Sequence, residues 1–285
     1  MYALLALGFT LIYGVSGVVN LAHGSFYMLG AYMFYVFGTF ALKLPPILSL
    51  ILPVVFLILA VVFVGAVSSI IYRLTIHPVL GDDVGVMVVT VCLALIFQQL
   101  MLLVFGPPNV PVSPLVKGSV PIWGLTVTYA RILAFVVSLV LFAGLWVFIS
   151  KSKIGKAMRA LSQDREVAML MGINTERLYM LAMAISSMLA GLAGIFISGS
   201  TTGVAGAWIW MYPLALSFSI VILGGLGSIK GSLIGGFIIG YAEQTVAIVA
   251  PEGGQIVSIV PFTVMVLVLL FRPKGLFGKR IEMED

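Results

Sequence analysis

The residues best suited to binding a partner lie in one polar segment, residues 150–177, between two apolar stretches. The segment reads SKSKIGKAMRALSQDREVAMLMGINTER and holds six of the fifteen Lys and Arg residues and three of the ten Asp and Glu residues. Apolar side chains with charges around them are typical of surfaces that bind a soluble protein. We refer to residues 150–177 as the polar segment.

Capping residues predict a short helix inside the polar segment. Ser162 or Asp164 can accept a backbone hydrogen bond at the start of a helix that runs to about Met171. Gly172 can end that helix in a left-handed conformation. The residues that can cap the next apolar run are Asn174 and Thr175.

The predicted helix has an apolar side and a polar side. Such a helix can bind in a groove of a soluble partner, with its apolar side inward and its charges at the rim. An ordinary basic loop that only sets membrane topology is the alternative, and the residues alone do not separate the two. The apolar side offers Val167, Leu170 and Met171 with Ala168 as a small contact, and the polar side offers Arg159, Arg165 and Glu166.

Five polar residues within the apolar runs are candidates for a solute path, because polar groups inside a membrane are costly and often functional. Glu243 can line such a path, bond to a neighbouring helix or be held neutral. Asn20 and His23 can cap freed backbone groups or contact solute. Gln98 can hydrogen-bond between helices, and Tyr13 can be a packing or interfacial residue.

The sequence lacks the motifs that would let it hydrolyse ATP or bind a metal. It has no G-x-x-x-x-G-K-[ST] loop, since GGLGSIKGS (224–232) has the wrong order and spacing. It has no H-E-x-x-H motif, no cluster of metal ligands and one cysteine, Cys92. We therefore expect no catalytic residue, cofactor, metal or disulfide, and we expect another subunit to supply the energy for any active transport.

The composition predicts the fold class. The chain is 61% hydrophobic and 9% charged over 285 residues, whereas a soluble domain carries about 25% charged residues. We expect one all-α polytopic membrane domain over residues 1–285, with about 8–9 transmembrane helices, Gly-rich broken helices and a short cytoplasmic helix in the polar segment, which the resemblance described below implies to be a cytoplasmic coupling helix. The basic residues lie at the ends of apolar runs, which is a topology signal and not a nucleic-acid site.

Nine apolar runs must position these residues. A Gly-rich break with Asn20 and His23 follows the first run, and a proline-rich loop with a possible interfacial piece at Ile122 and Trp123 follows the fourth. The runs cover about residues 3–19, 26–42, 47–72, 84–105, 129–149, 178–200, 212–226, 231–250 and 256–271.

Charge asymmetry predicts the orientation of these runs. With the polar segment in the cytoplasm, twelve basic residues fall inside and three, Lys43, Lys117 and Arg131, fall outside, as the positive-inside rule requires. The C-terminus is then inside and the N-terminus outside. The basic residues inside are Arg73, the six of the polar segment, Lys230, Arg272, Lys274, Lys279 and Arg280.

Small residues recur every four positions in the sixth run, which lets helix backbones approach closely. The stripe can pack within this chain or against a second subunit. Its members are Ala182, Ser186, Ala190, Gly194 and Ser198.

The sequence resembles the permease subunits of ATP-binding-cassette importers for branched-chain amino acids over nearly its whole length. The matching stretches are GFTLIYGVSGVVNLAHGSFYMLGAY (8–32), the polar segment from residue 155 onward, ILGGLGSIKGSLIGGFIIGYAE (222–243) and the closing RPKGLFG (272–278). Relatives usually begin with a further helical segment, so we expect either a truncated start or a dispensable first helix.

The resemblance implies an importer in the prokaryotic cytoplasmic (inner) membrane, with two ATPase subunits beneath a pair of permeases. The pair is expected to be a heterodimer, and an external solute-binding protein delivers the substrate. The polar segment then corresponds to the family's coupling loop. The residues carried over to that role are Gly155, Arg159, Ala160, Asp164, Ala168, Gly172, Ile173 and Asn174.

Two alternative functions stay open at this point. The same importer class can carry urea, short amides or another small solute in place of Leu, Ile and Val. A stand-alone secondary transporter or channel is the other alternative, although the runs lack the chain of ionisable residues that a proton-coupled pump uses.

Overall fold

The computed structural model describes residues 1–41, 52–107, 110–111, 114–116, 118–122, 125–200, 207–250, 254–273 and 275–278. Five basic residues that were used to predict the orientation lie outside the described residues, as does Trp123 of the predicted interfacial piece. Those basic residues are Lys43, Lys117, Lys274, Lys279 and Arg280.

The described residues form eleven α-helices and one small β-hairpin. A π-helical turn (Tyr72–Ile76) and a 3-10 turn (His77–Val79) follow α3, and a 3-10 turn (Ala207–Trp210) precedes α9. The elements in chain order are α1 (Tyr2–Ser16), α2 (His23–Ala41), α3 (Leu52–Ile71), α4 (Asp83–Phe105), β1 (Ser119–Ile122), β2 (Leu125–Thr128), α5 (Tyr129–Lys151), α6 (Lys153–Leu161), α7 (Arg165–Leu170), α8 (Thr175–Ser200), α9 (Met211–Gly224), α10 (Ile229–Val249) and α11 (Gly254–Phe271).

The all-α polytopic class is confirmed, and nine of the helices lie where the nine apolar runs predict them. Six helical stretches of the described chain have the length and apolar composition needed to cross a membrane, and α1 and α11 contain shorter apolar helices. The six are Leu52–Val79, Asp83–Phe105, Tyr129–Lys151, Thr175–Ser200, Ala207–Gly224 and Ile229–Val249.

The sequence did not predict the hairpin of β1 and β2, which lies in the proline-rich loop before α5. The strands pair antiparallel, with Ser119 opposite Thr128 and Ile122 opposite Leu125. Proline prevents a regular helix but is compatible with a short edge strand, and Pro121 lies within β1. The described residues of this loop accordingly contain no helix, and two short strands are added to the expectation.

Helix α8 packs against α1, α2 and α3 through glycines that leave no room for a side chain. A Cβ atom at Gly30 of α2 would collide with the backbone of Gly191, and one at Gly194 would collide with the carbonyl of Tyr27. A Cβ at Gly8 of α1 would lie 2.7 Å from the carbonyl oxygen of Ser186. The small-residue stripe of α8 is therefore buried inside this chain, which is the first of its two possible roles.

Helices α9 and α10 form a tight antiparallel pair that the end of the described chain closes. Gly224 and Gly231 are in backbone contact at the turn between them. The backbone N–H groups of Leu276 and Phe277 donate to the carbonyl oxygens of Leu223 and Gly224, at 2.8 and 3.0 Å. These bonds satisfy carbonyls that the end of α9 leaves without a helical partner.

The contact between Gly30 and Gly191 gives a stability prediction. We expect Gly30→Ala to lower the stability of the protein by about 1–3 kcal/mol, because the added methyl group forces the two helices apart. Thermal unfolding of the purified protein in detergent measures this. Gly144→Ala is the matched control, since a Cβ at Gly144 meets nothing within 4 Å. An equal loss of stability in both variants would contradict the prediction.

Candidate functional site

The polar segment contains two short helices where the sequence predicted one. Helix α6 (Lys153–Leu161) was missed. The Ser152 side chain caps it by accepting a hydrogen bond from the backbone N–H of Gly155 at 2.8 Å. Met158 and Leu161, three positions apart, are buried on one side of the helix. Ser152, followed by these two apolar residues at helical spacing, was the signal that could have predicted α6.

Helix α6 is fixed tightly to the end of α5. A Cβ atom at Gly155 would collide with the backbone of Phe148 and Ile149, so the two helices meet at a glycine. The guanidinium of Arg159 donates to the carbonyl oxygen of Ile149 at 2.6 Å. That carbonyl belongs to the last turn of α5, where a positive charge is favourable.

The capping pattern predicted for α7 is confirmed. The Asp164 side chain accepts from the backbone N–H of Val167 at 3.0 Å, and the chain turns at Gly172 with φ of 78°. The backbone N–H of Ile173 donates to the carbonyl of Ala168 at 3.1 Å. Asn174 caps α8 by accepting from the backbone N–H of Arg177 at 3.0 Å.

The apolar side of α7 is exposed at the surface of the chain. Leu170 and Met171 are 85% and 77% exposed, and Val167 is 52% exposed, while Ala168 is buried against the bundle. Three large apolar side chains on a charged segment are costly in water, which favours a partner that covers them. Ala160 and Ile173 are half-buried beneath this surface.

The predicted polar side of α7 requires a correction. Arg159 lies on α6 and not on the same helix as Glu166, because the chain turns between Ser162 and Asp164. Arg165 reaches back to α8, with its guanidinium carbon 5.8 Å from the ring centroid of Tyr179. Arg165 and Glu166 both lie on α7 with exposed side chains, so two of the three predicted residues remain on its polar side.

The connection between α3 and α4 lies beside the polar segment. His77 is 3.9 Å from Glu176, an exposed pair that contributes little to stability. A small cavity of about 20 Å³ is lined by Tyr72, Tyr179, Asn20 and residues near the end of α1. The ends of α1, α3, α4 and α8 therefore meet at one end of the bundle.

The structure places the first two path candidates in structural roles. Asn20 accepts from the backbone N–H of Ala22 at 3.0 Å, at the start of α2. His23 is fully buried. One ring nitrogen lies 3.0 Å from the Leu5 carbonyl oxygen, and the other lies 3.4 Å from the Ser186 hydroxyl. These hydrogen bonds hold the polar side chains in place at the break between α1 and α2, where the backbone turns at Gly17 with φ of 72°.

The remaining path candidates also have neighbours within the chain. Gln98 is buried and accepts from the indole N–H of Trp210 at 2.6 Å. The buried Glu243 carboxylate accepts from the hydroxyl of Tyr212. Tyr13 is half-buried and packs beside α9. The five candidates therefore do not lie together in one site. A solute contact for any of them remains a prediction.

Two further kinds of ligand are a metal ion and a small molecule in a surface groove. Among the described residues, no group of three or more His, Cys, Asp and Glu side chains is placed to hold a metal ion. A groove of about 370 Å³ opens between α1, α5 and α10, with mostly apolar walls and Tyr2, Tyr241 and Gln244 among its lining residues. Neither the described His, Cys, Asp and Glu side chains nor the walls of this groove form an arrangement suited to catalysis.

Comparison with known proteins gives one family. Residues 1–269 match the model described as branched-chain amino acid transport system / permease component. No solved structure matches the chain.

Three curated relatives show how far the similarity extends. BraD, a high-affinity branched-chain amino acid transport system permease protein of Pseudomonas aeruginosa, is 32% identical over 98% of this chain and 92% of its own length. The corresponding permease protein LivH of Escherichia coli K12 is 30% identical over 98% of this chain and 91% of its own. LivM of the same organism is 23% identical over 97% of this chain and 67% of its own.

The Asp164 cap predicts a local effect on α7. We expect Asp164→Ala to weaken this helix by about 1 kcal/mol, because the N–H of Val167 loses its partner. Hydrogen–deuterium exchange of residues 165–171 should speed up about fivefold. Asp164→Asn keeps an acceptor and should restore slow exchange, and the exposed neighbour Gln163 gives the control Gln163→Ala. If residues 165–171 already exchange rapidly in the unaltered protein, the Asp164 cap does not stabilise α7.

Proposed function

Because the chain belongs to the family of permease components of branched-chain amino acid transport systems, we propose that it forms the translocation path of an ATP-driven importer. The proposed substrates are branched-chain amino acids, in agreement with the names of BraD and LivH as permease proteins for branched-chain amino acids. The chain would be the non-catalytic membrane subunit, since its sequence has no phosphate-binding loop and partner subunits would hydrolyse the ATP.

The exposed apolar side of α7 is the observation that supports the coupling role. Its exposed side chains, with Leu170 foremost, are suited to a groove on an ATPase subunit. The caps at Asp164 and Gly172 hold these anchors in a fixed helix, which lowers the entropy cost of binding. A topological loop has no need of such a helix.

The attachments of α6 and α7 supply a route for movement. Arg159 and Gly155 join α6 to the end of α5, and Arg165 contacts α8. Closure of the ATPase pair would displace α7, and the displacement would pass to α5 and α8. Rocking of these helices would then alternate the path between outward-open and inward-open states.

The proposed orientation places residues 150–177 and the C-terminus in the cytoplasm. Arg73 of the π-helical turn and Lys230 at the start of α10 lie at the same end of the bundle as the polar segment. Gly14 near the end of α1 lies against Gly227, and Tyr72 lies near Tyr179. An excess of positive charge at one end is typical of the cytoplasmic side. The membrane would be a prokaryotic cytoplasmic membrane.

Three kinds of partner complete the proposed importer. These are ATPase subunits under α7, a second permease and an external solute-binding protein that would supply most of the selectivity. The similarity to both LivH and LivM, two permease proteins of one organism, supports pairing between different permeases of this family. The lipid bilayer covers the apolar outer faces.

Reconstitution tests the proposal. Vesicles containing this chain, its partner permease, the ATPase subunits and the binding protein should accumulate leucine when ATP is supplied, and should not accumulate urea. Vesicles with this chain alone should accumulate neither solute. Leucine flux through the chain alone under an ion gradient would support a secondary transporter or channel and contradict the proposal, and urea uptake would overturn the substrate.

Gly172 allows a test of coupling. We expect Gly172→Pro to reduce leucine uptake per ATP hydrolysed at least tenfold, because proline cannot adopt φ of 78° and α7 loses its end. Gly81 also has positive φ and no atoms near its Cβ position, so Gly81→Pro is the matched control in the neighbouring connection. If Gly172→Pro keeps the ratio of the unaltered complex, α7 does not couple the two subunits.

A further inference from the structure

Helix α4 has one face buried in the bundle and one face exposed. The buried face packs through Phe97 onto Phe26, with the rings 5.9 Å apart, and through Gln98 onto Trp210. The exposed face is broad, and one stripe within it runs along the helix at intervals of four, three and four residues. Its residues are Val88, Cys92, Leu95 and Gln99.

Gln99 is the unusual member of this exposed stripe. Its side chain is exposed, and no residue in the described part of the chain forms a hydrogen bond with its amide. The neighbouring Gln98, in contrast, is buried with a partner at 2.6 Å. An amide that faces hydrocarbon without a partner is strongly unfavourable, because hydrocarbon offers no group to replace its hydrogen bonds with water.

The position of Gln99 along α4 places this amide within the apolar part of the membrane. It lies six positions before Phe105, the last residue of α4, which corresponds to about 9 Å at 1.5 Å per residue. The helix of 23 residues is about 35 Å long, against a hydrocarbon thickness of about 30 Å. Gln99 is thus too deep for headgroup contact, and Cys92 lies near the middle of the bilayer.

The exposed faces of two other helices have the composition that lipid requires. Every exposed residue of α3 is apolar, including Ile58 and Phe63. The exposed residues of α5 from Ile132 to Val147 are also apolar or glycine. The stripe of α4 differs from both by its amide, so lipid is the wrong environment for it.

We propose that the stripe of Val88, Cys92, Leu95 and Gln99 on α4 lines the water-filled translocation path. This inference rests on the proposed importer function and specifies the wall of its path. Val88 and Leu95 offer apolar contact to a branched side chain. The Gln99 amide both donates and accepts, so it can replace part of the hydration shell of an ammonium or carboxylate group.

The single cysteine of the chain provides the test, since Cys92 is a native probe on this stripe. In the complete importer, a charged, membrane-impermeant methanethiosulfonate should modify Cys92 and reduce leucine uptake at least fivefold. Leucine and the binding protein should slow the modification. Cys92→Ser should remove the inhibition, and Gln99→Cys in that background should restore it.

A cysteine on a lipid-facing helix controls for partition of the reagent into the bilayer. Ile58→Cys in the Cys92→Ser background should react with a membrane-soluble maleimide and not with the charged reagent. The inference is overturned if Cys92 and Gln99→Cys behave like Ile58→Cys, because lipid or a tightly packed helix then covers the stripe. If the unaltered complex takes up no leucine, the proposed function fails instead, whatever the labelling shows.

Discussion

The close approach of α8 to its neighbours is the constraint on which the rest of the structure depends. The backbones of Gly30 and Gly191 touch, and Gly194 lies against the carbonyl of Tyr27, so α2 and α8 are held without intervening side chains. Within a membrane, contact of this kind replaces the hydrophobic effect as the source of helix association. It makes α1, α2, α3 and α8 a unit that moves together, with α8 at its centre.

The polar segment is attached at defined points to α5 and to α8, the centre of this unit. Helix α6 meets α5 at Gly155 and is fixed there by Arg159, while Asn174 starts α8 directly after the turn at Gly172. The exposed side chains of α7 therefore belong to a segment that is fixed to α5 at one end and to α8 at the other. Movement of a partner that binds Leu170 and Met171 would be transmitted to α5 and α8, whereas a flexible loop would not transmit it.

The features that were predicted correctly from the sequence depend on neighbouring residues. Apolar runs located the long helices, and Asp164, Gly172 and Asn174 marked the ends of α7 and α8 because caps act within a few residues. The contacts that no local pattern could identify involve distant partners. The burial of His23 depends on Ser186, 163 residues away, and Gln98 is held by Trp210, 112 residues away. Arg159 was assigned to the predicted short helix, whereas it lies on α6 and donates to Ile149 of α5, a contact between two helices that a local pattern does not show.

The central claim is that the exposed side of α7 contacts an ATPase subunit, and site-specific cross-linking tests it most directly. A photoreactive amino acid at Leu170 should form a cross-link to the ATPase subunit in the assembled importer, whereas the same group at Ile58 on the outer face of α3 should react with lipid. Cross-links from Leu170 to lipid alone, or to another part of this chain, would contradict the account.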